Sequence, residues 1–499
     1  MPLLSQRQLK ENKSLPIGGN PRQWDCRLQA CVHVTHWRSM GHRIWANGLI
    51  LLVALPFVST GAEDDYKVYT ESPRIFLNAK RLRLLRREKE RLSIRWQQFD
   101  LLMAGKAPMP EPGFALALYS QVSQSPEPCQ RAIAAALTSS DIRQTAIVAD
   151  WCGTNATLTA RLQKSLTVPL ASMPIASVAA ARNRAIAAIA IADQAPQASA
   201  RALEELVEKW WRSALAPKLR EGGTVPRQET YALLELLHLL RDNLNIDLRD
   251  DAGAYFKELP LFQILSYYPS PFPATENEYR VPFFTSDGEP DLIQAALSRA
   301  SELAMVAYDG NLLANQFIQG WVLQDRFLMR GTFGIAYEFL WANPYQPGLS
   351  FHHLPNLYHD KRGGRLFVRS TWEEDASYFC YYDGQIQFFE DGKRKRLVMK
   401  GNSAPIQVGG VTLFSAQSPM KFVVEPVREE SEPGERAVVR KLYYFLVSLQ
   451  PNARFDIEVD DEELQEGSTD AGGILALTLA NPSTARAVRI RETRPPARR

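Results

Sequence analysis

The sequence predicts an α+β multidomain protein in which a helical domain is followed by an antiparallel β domain. The chain has 499 residues, which suits two or three domains, and its composition of 45% hydrophobic and 23% charged residues is that of a globular protein. Apolar residues recur at helical spacing through residues 74–342, whereas short β-rich runs follow from Arg365. Because helices precede strands and do not alternate with them, we expect two domains, over residues 63–346 and 347–499.

The N-terminal residues 1–62 have the pattern of a leader followed by a signal peptide. Arg43 precedes an apolar run from Leu49 to Val58, and Thr60-Gly61-Ala62 provides small residues for cleavage. The run is too short for a membrane span, which needs about 20 apolar residues. We therefore expect translation to start at Met40 and the protein to be secreted or periplasmic, with no stable membrane span after cleavage. An uncleaved membrane anchor is the alternative.

Charge and cysteine content narrow the classes of protein further. Without residues 1–62 the chain keeps 51 Lys and Arg against 53 Asp and Glu, so its basic full-length charge gives no reason to expect nucleic-acid binding. Cys129 and Cys152 could form a disulfide in an oxidising compartment or remain two buried thiols. The sequence has no C-x-x-C pair, nucleotide-binding glycine loop or serine-nucleophile elbow, so we expect no cofactor.

The helical domain is predicted as a series of helices separated by Pro, Gly or Asn. The first covers residues 78–103, with Leu82, Leu85 and Trp96 on an apolar face and many Arg on a solvated face. Breaks of this kind are typical of helical hairpins. The further helices are predicted at residues 113–123, 127–138, 140–150, 155–167, 175–193, 197–219, 226–243, 290–307, 311–323 and 333–341.

Residues 258–289 and the C-terminal part have different patterns. Residues 258–289 contain five prolines and several aromatic residues, and we predict a long ordered loop, a kind of segment that is often functional. Asp383-Gly384 and Asp391-Gly392 lie between apolar runs and predict hairpins. Later β runs are predicted at residues 395–400, 405–414, 420–427, 436–449, 453–459, 473–479 and 486–491.

Four stretches, in this order along residues 73–400, resemble the heparinase II/III-like polysaccharide lyases. The stretches are Pro73-Arg74-Ile75-Phe76-Leu77 before an Arg-rich helix, the helix around Asn183, Glu221-Gly222-Gly223 before Glu229-Thr230-Tyr231, and Gly364-Arg365-Leu366-Phe367-Val368-Arg369-Ser370. The resemblance implies an N-terminal (α/α) toroid of helical hairpins followed by an antiparallel β-sandwich. It also implies a lyase that cleaves a uronic-acid glycan by β-elimination, with an acidic polysaccharide as substrate.

Elimination from a uronic acid needs a group that neutralises the sugar carboxylate, a base and an acid. The resemblance assigns the first task to Asn183 and proton transfer to Tyr231 and to His352 or His353. Each also has a structural interpretation, because Asn183 could face solvent, Tyr231 could pack in the core, and the histidines could be a surface pair. We read His238, on an apolar helix face, as structural.

The substrate would also need groups that bind carboxylates and sugar rings. Arginine matches carboxylate and sulfate groups with paired hydrogen bonds, and aromatic side chains can stack on sugar rings. The candidates for substrate binding are Arg227, Glu229, Arg280, Tyr337, Trp341, Tyr345, His359 and Arg369.

The sequence departs from the family pattern in its β domain. No histidine follows His359, so we predict no metal site. A non-catalytic glycan-binding or cell-envelope scaffold protein of the same fold is therefore the main alternative to a lyase. A glycoside hydrolase is a third possibility, but Glu229 and Glu235 lie on one helix and could not flank a glycosidic bond from opposite sides.

Overall fold

The computed structural model describes residues 65–168, 177–273, 278–284, 288–324, 328–382, 384–395, 397, 404–415, 420–426, 441–461 and 463–493. The predicted leader and signal peptide lie outside these residues. The chain is α+β, with helices in its N-terminal part and mostly antiparallel sheets in its C-terminal part.

The helical part begins at Ala79 and ends at Trp341. A π-helical segment, Leu206–Leu215, lies inside the predicted helix 197–219 and separates α8 from α9. Within the described ranges, no helix is both long and apolar enough to cross a membrane. The helices are α1 (Ala79–Glu90), α2 (Ile94–Ala104), α3 (Pro112–Ser123), α4 (Glu127–Thr138), α5 (Ile142–Trp151), α6 (Ala156–Leu166), α7 (Val178–Ala190), α8 (Pro196–Glu205), α9 (Ala216–Arg220), α10 (Arg227–Leu244), α11 (Tyr255–Leu265), α12 (Leu292–Tyr308), α13 (Leu313–Val322) and α14 (Ile335–Trp341).

The predicted helix 78–103 is two helices, so that prediction was wrong. Leu92 adopts a left-handed backbone with φ of 49°, and the Ser93 side chain then accepts a hydrogen bond from the Trp96 amide, which begins α2. Serine at this position is a strong helix start because it satisfies an amide that has no partner within the helix. The Arg-rich face of α1 is also not simply solvated, since Arg86 and Lys89 donate to the carbonyls of Gln121 and Ser123 at the end of α3.

The cysteine pair is a disulfide. Cys129 on α4 is bonded to Cys152, which directly follows α5, so the interpretation as two free thiols was wrong. The bond closes a loop across a sequence separation of 23 residues. It ties two neighbouring helices of the helical part together.

The segment 258–289 is helical in its first part, which corrects the prediction of a loop. Helix α11 continues through Pro260 to Leu265. Proline inside a helix costs about 3 kcal/mol. Burial of Leu259, Phe262 and Ile264 on this helix offsets that cost. After α11 the chain forms a short pair of strands, β1 (Phe272–Pro273) and β2 (Glu278–Tyr279).

Three larger sheets make up the C-terminal part. The first has the order β3-β4-β5-β6-β7, the second β14-β11-β9-β8, and the third β10-β15-β12-β13; only the β9–β11 pair among the described strands is parallel. The strands are β3 (Leu357–Asp360), β4 (Arg365–Arg369), β5 (Tyr378–Tyr382), β6 (Gln385–Glu390), β7 (Lys393–Lys395), β8 (Ile406–Val408), β9 (Val411–Ser415), β10 (Met420–Val424), β11 (Lys441–Val447), β12 (Arg454–Val459), β13 (Glu463–Ser468), β14 (Leu475–Ala480) and β15 (Arg486–Glu492).

Glycines with positive φ form the turns of two of the hairpins. Asp391 and Gly392 both have positive φ and join β6 to β7, which confirms that predicted hairpin. The predicted run 405–414 is a hairpin and not one strand, because Gly409 and Gly410 both have positive φ and reverse the chain between β8 and β9. Asp383 lies outside the described residues.

The first sheet is covered on both faces. Side chains alternate along β4, so Phe367 joins the core of the helical part while Leu366 and Val368 pack against the second sheet. Strand β5 does the same with Cys380 on the helical side and Phe379 on the other. The far face of the second sheet then packs on the third. The β3–β7 sheet is therefore the layer that joins helices to the rest of the β part.

Gly222 brings the start of α10 against this sheet. Its φ of +98° is left-handed, and a Cβ atom there would lie 2.5 Å from the carbonyl oxygen of Arg362. Its own carbonyl accepts a hydrogen bond from Arg365 at 2.9 Å. Glycine is needed at this position for both the backbone conformation and the close approach.

Candidate functional site

A buried polar network lies between α5, α7 and α10 in the helical part. The Arg143 guanidinium donates to both carboxylate oxygens of Glu235, at 2.7 to 3.1 Å. Arg182 donates to the same carboxylate, and Arg143 also reaches Glu111 at 3.2 Å. Although burial opposes it, the two guanidinium groups hold the pKa of Glu235 below its usual range. The network is thus an ionised cluster enclosed by protein.

Three of the predicted aromatic residues, Tyr231, Tyr337 and Trp341, belong to this network. The Tyr231 hydroxyl accepts a hydrogen bond from the Trp341 indole at 2.9 Å and lies 3.5 Å from Arg143 Nη2. The Tyr337 ring packs edge-on against Tyr231, and its hydroxyl donates to Glu111. All three side chains are buried. They pack inside the helical part, so in this conformation they do not form an open sugar platform.

Burial changes the acid–base character of Tyr231. Desolvation, with the nearby Glu235 carboxylate, raises the pKa of the Tyr231 phenol well above its usual range. A base in an elimination must lose its proton near the working pH. This phenol, as it stands in the structure, holds its proton more tightly than a tyrosine in water does.

Asn183 lies on helix α7, and Glu229 contacts the start of that helix from α10. The amide oxygen of half-buried Asn183 accepts a hydrogen bond from Arg182 at 2.9 Å, which links it through Glu235 to the Tyr231 network. Glu229 accepts a hydrogen bond from the Ala179 amide at 2.7 Å, in the first turn of α7. Glu229 therefore satisfies a helix terminus, which accounts for its charge without a ligand.

The histidine pair lies elsewhere. His352 and His353 belong to a 3-10 turn, Phe351–His353, and both side chains are exposed. His352 Nδ1 lies 3.7 Å from Glu373, and Phe351 anchors the turn by packing on Trp321 and Trp372. No hydrogen bond or ring contact between described residues joins this pair to Asn183 or Tyr231. The structure thus brings the amide and the phenol into one network without either imidazole.

Most of the other predicted substrate-binding residues have structural partners. His359 bonds to Asp470 at 2.7 Å, and buried Arg369 donates to the Tyr267 carbonyl at 2.9 Å. Arg280 lies over the Trp321 ring and donates to the Pro269 carbonyl at 2.8 Å. Tyr345 is 46% exposed and contacts Arg91.

A cleft of about 620 Å³ lies where the helical part meets the first sheet. The N-terminal ends of α10 and α12 form one wall, and Phe367 and Tyr382 of the sheet form another. Segment 281–284, which the sequence marked as part of an unusual stretch, also lines it. Its lining is mixed, with aromatic rings beside amide and hydroxyl groups: Thr224, Val225, Pro226, Arg227, Gln228, Thr230, Tyr255, Leu259, Phe262, Gln263, Ser266, Val281, Pro282, Phe283, Phe284, Glu289, Pro290, Asp291, Gln294, Ala295, Ser298, Phe367 and Tyr382.

Arg227 is the predicted site residue that does line the cleft. It donates to Ser298 Oγ at 3.0 Å, to the Gln263 carbonyl at 3.1 Å and to Ser266 Oγ, and its guanidinium lies over the Tyr267 ring. These contacts hold it in one orientation while 19% of its side chain stays exposed. Arg227 is a fixed, partly accessible cation in the cleft wall.

Two carboxylates, whose charge is opposite to that of Arg227, lie at the rim of the cleft. Glu289 and Asp291 are both exposed. Asp291 caps the N-terminus of α12, because its carboxylate accepts hydrogen bonds from the Ile293 and Gln294 amides. The first turn of α10 has no side-chain cap and also faces the cleft, and the N-terminus of a helix carries partial positive charge. The inner wall is therefore positive and the outer rim negative.

The sequence did not reveal the charged residues that organise the cleft and the Tyr231 network, apart from Glu235, which was considered only as a hydrolase carboxylate. Glu302, on α12, lies behind Arg227 with its Oε1 atom 3.6 Å from Arg227 Nη2. Arg143 and Glu235 form the centre of the Tyr231 network. The available signal for these residues was a charged side chain at a helix position where the apolar periodicity predicts burial. In the described ranges, no group of three or more His, Cys, Asp or Glu is arranged to hold a metal ion.

Comparison with known proteins gives no family for this chain. It matches no protein-family model and no curated protein sequence.

Proposed function

We propose that this chain is an exported protein that binds an acidic polysaccharide in the cleft between its helical and β parts. The observation that carries the proposal is the fixed Arg227 cation beside the uncapped first turn of α10, in a cleft lined by aromatic and amide side chains. Guanidinium groups suit sugar carboxylates and sulfates, and aromatic rings suit sugar faces. The resemblance of residues 73–400 to the heparinase II/III-like family, with its toroid and sandwich, points to the same ligand class.

Export is supported by two independent features. The apolar run from Leu49 to Val58 has the pattern of a signal peptide. The Cys129–Cys152 disulfide is of the kind that persists in oxidising compartments. These two features support the proposal that the protein is secreted or periplasmic.

Binding without cleavage is the form that the side-chain geometry favours. The candidate base Tyr231 is buried with a raised pKa, and no described contact joins it to His352 or His353. An elimination needs its base and acid at the same sugar bond. Tyr231, His352 and His353 are not among the residues that line the cleft around Arg227.

The binding proposal is tested with immobilised heparin, chondroitin sulfate, hyaluronan and alginate, and with neutral cellulose oligosaccharides as comparison. We expect at least one anionic glycan to bind, and Arg227→Gln to weaken that binding by about tenfold. Arg201→Gln, at an exposed position on α8, is the matched control and should bind as the wild type does. If the melting temperature of Arg227→Gln is lower than that of the wild type, the salt dependence of wild-type binding is measured as the test instead. Equal binding of neutral and anionic glycans, or none at all, would reject the proposal.

A polysaccharide lyase is the second candidate, favoured by one observation. Asn183 and Tyr231, which the resemblance pairs in catalysis, are linked here through Arg182, Glu235 and Arg143. A lyase releases an unsaturated uronate, so incubation with the same anionic glycans would raise the ultraviolet absorbance. Loss of that rise in Tyr231→Phe or His353→Ala would support elimination, and no rise with any of the glycans would leave binding alone.

A further inference from the structure

Glu302 is a buried carboxyl group directly behind the cleft wall. Only 1% of its side chain is exposed, and its Oε1 atom has no hydrogen-bond partner among the described residues. The nearest guanidinium nitrogen is Arg227 Nη2, at 3.6 Å. Arg227 itself faces the cleft on its other side. One guanidinium thus lies between an enclosed carboxyl group and the space that a ligand would fill.

The surroundings of Glu302 come from four parts of the chain. Arg227 approaches from α10, Tyr267 from the segment after α11, Arg280 from beside β2, and Arg299 from the preceding turn of α12. Arg299 is paired with Glu338 at 2.9 Å, and Arg280 lies 3.9 Å from Glu374. These carboxylates partly neutralise both arginines. In the described part of the chain, Glu302 is the only carboxylate within ion-pair distance of Arg227. The charge of Arg227 therefore responds to Glu302 more directly than the charges of Arg280 and Arg299 do.

The protonation state of Glu302 decides what charge a ligand meets. Burial raises the pKa of Glu302 to about 7, even though the Arg227 guanidinium favours its ionised form. When Glu302 is protonated, the positive charge of Arg227 is available to the cleft. When Glu302 is ionised, the two charges form a neutral pair.

Resting on the proposed function, we propose that Glu302 couples binding of an anionic sugar at Arg227 to the uptake of one proton. A bound carboxylate or sulfate competes with the Glu302 carboxylate for the same guanidinium. Two like charges on one cation are unfavourable in an enclosed site, so the ligand favours protonated Glu302. Glu302 is a positioning residue in this scheme, because it acts through Arg227 and does not touch the ligand.

The coupling has a definite sign. Below about pH 7 Glu302 already holds its proton, and the affinity for an anionic glycan should not change with pH. Above that pH the proton must be taken up on binding, so the affinity should fall by up to about tenfold per pH unit. A neutral glycan does not compete for Arg227, and its affinity should not follow this profile.

Isothermal titration calorimetry of the whole protein tests the coupling directly. Short oligosaccharides of heparin, chondroitin sulfate, hyaluronan and alginate are the anionic probes, and a cellulose oligosaccharide is the neutral one. Titrations at pH 5.5 and 8, in buffers of different ionisation enthalpy, count the protons taken up without any mutation. We expect close to no uptake at pH 5.5 and uptake approaching one proton at pH 8.

Two variants assign the proton to Glu302. In Glu302→Gln the shape and hydrogen-bonding capacity are kept, so we expect the affinity for the anionic probes to stay high and lose its dependence on pH above 7. Glu289→Gln, at the exposed rim, should change the affinity but not the pH at which it begins to fall. Anionic binding with no proton uptake at pH 8, or an unchanged profile in Glu302→Gln, would overturn this inference alone. No binding of any of the four anionic probes at any pH would overturn the proposed function together with it.

Discussion

Arg143 on α5 and Glu235 on α10 meet inside the helical part, where Nη2 and Nε of the guanidinium donate to one carboxylate oxygen at 2.7 and 2.9 Å. Both side chains are almost fully enclosed. Charges in such surroundings are costly unless paired, and removing one partner leaves the other without compensation. This pair therefore holds α5 against α10, which carries Tyr231, and Arg182 links the same Glu235 carboxylate to α7, which carries Asn183.

Loss of the Glu235 charge should destabilise the fold. In Glu235→Gln the guanidiniums of Arg143 and Arg182 lose their shared carboxylate, and we expect the free energy of unfolding to fall by about 3–5 kcal/mol. Urea denaturation followed by circular dichroism measures this. Glu204→Gln removes an exposed carboxylate on α8 and should change stability by no more than about 0.5 kcal/mol. Similar values for the two variants would contradict the prediction.

Tyr231→Phe separates the two candidate functions. The Trp341 indole and Arg143 both lose a hydrogen-bond partner, so we expect a loss of stability of about 1–2 kcal/mol. Glycan affinity should be unchanged, because Tyr231 does not line the cleft. Thermal melting and binding to immobilised heparin are measured on the same preparation. A stable variant that no longer binds would place the ligand at the buried network and not at Arg227.

Reduction of the disulfide should lower stability by about 3 kcal/mol, because the bond restrains a loop of 23 residues in the unfolded chain. The measurement is the midpoint of urea unfolding with and without a reducing agent. The double variant Cys129→Ala and Cys152→Ala supplies the control, since its midpoint should not respond to the reducing agent. A response in that variant would assign the effect to something other than this bond.

Glu302 should also affect how stability depends on pH. Its pKa of about 7 in the folded protein lies above the ordinary 4.5, so the folded state holds this proton more tightly than the unfolded chain does. Between those two pH values the folded state binds more protons, and the free energy of unfolding therefore falls as pH rises, with the loss complete above about 7. The difference corresponds to about 3 kcal/mol. Urea unfolding at pH 4.5 to 8 should show this loss in the wild type and in Glu204→Gln, and not in Glu302→Gln.

Gly222→Ala should weaken the junction between the helical part and the first sheet. The new Cβ atom meets the Arg362 backbone, and alanine is strained at this left-handed φ, so we expect a loss of about 1–3 kcal/mol or more. Gly288→Ala is the matched control, because it has open space around it and no positive φ. Equal melting temperatures for the two variants would show that the junction tolerates a side chain there.

The helix pattern was predictable because its signals are local. The bounds 127–138 agree with α4, and 226–243 lies within one residue of α10 at each end, where Pro226 precedes the helix and Asn245 ends it in a left-handed conformation. The split at Leu92 was missed because leucine gives no signal for positive φ. The alternation of β4 and β5 between two cores was also hidden, since both faces of these strands are buried and the helix-facing side of β4 carries Arg365 and Arg369 beside Phe367.

The site was less predictable, because its partners are distant in the chain. Arg143 and Glu235 are 92 residues apart, and Arg227 and Ser298 are 71 apart. No spacing rule links such positions. The family resemblance led to Asn183 and Tyr231, which do share a network, but it could not show that His352 and His353 lie on a separate exposed turn. Arg227 was selected for its guanidinium chemistry, and it does line the cleft.

The layer formed by β3–β7 has a consequence for any attempt to divide this protein. A cut after residue 346 would strip Phe367, Tyr378 and Cys380 from the helices and leave an open apolar surface in water. It would also remove the sheet wall of the cleft, Phe367 and Tyr382. A helical fragment produced alone should therefore aggregate and lose the pocket, so ligand studies require both halves on one polypeptide.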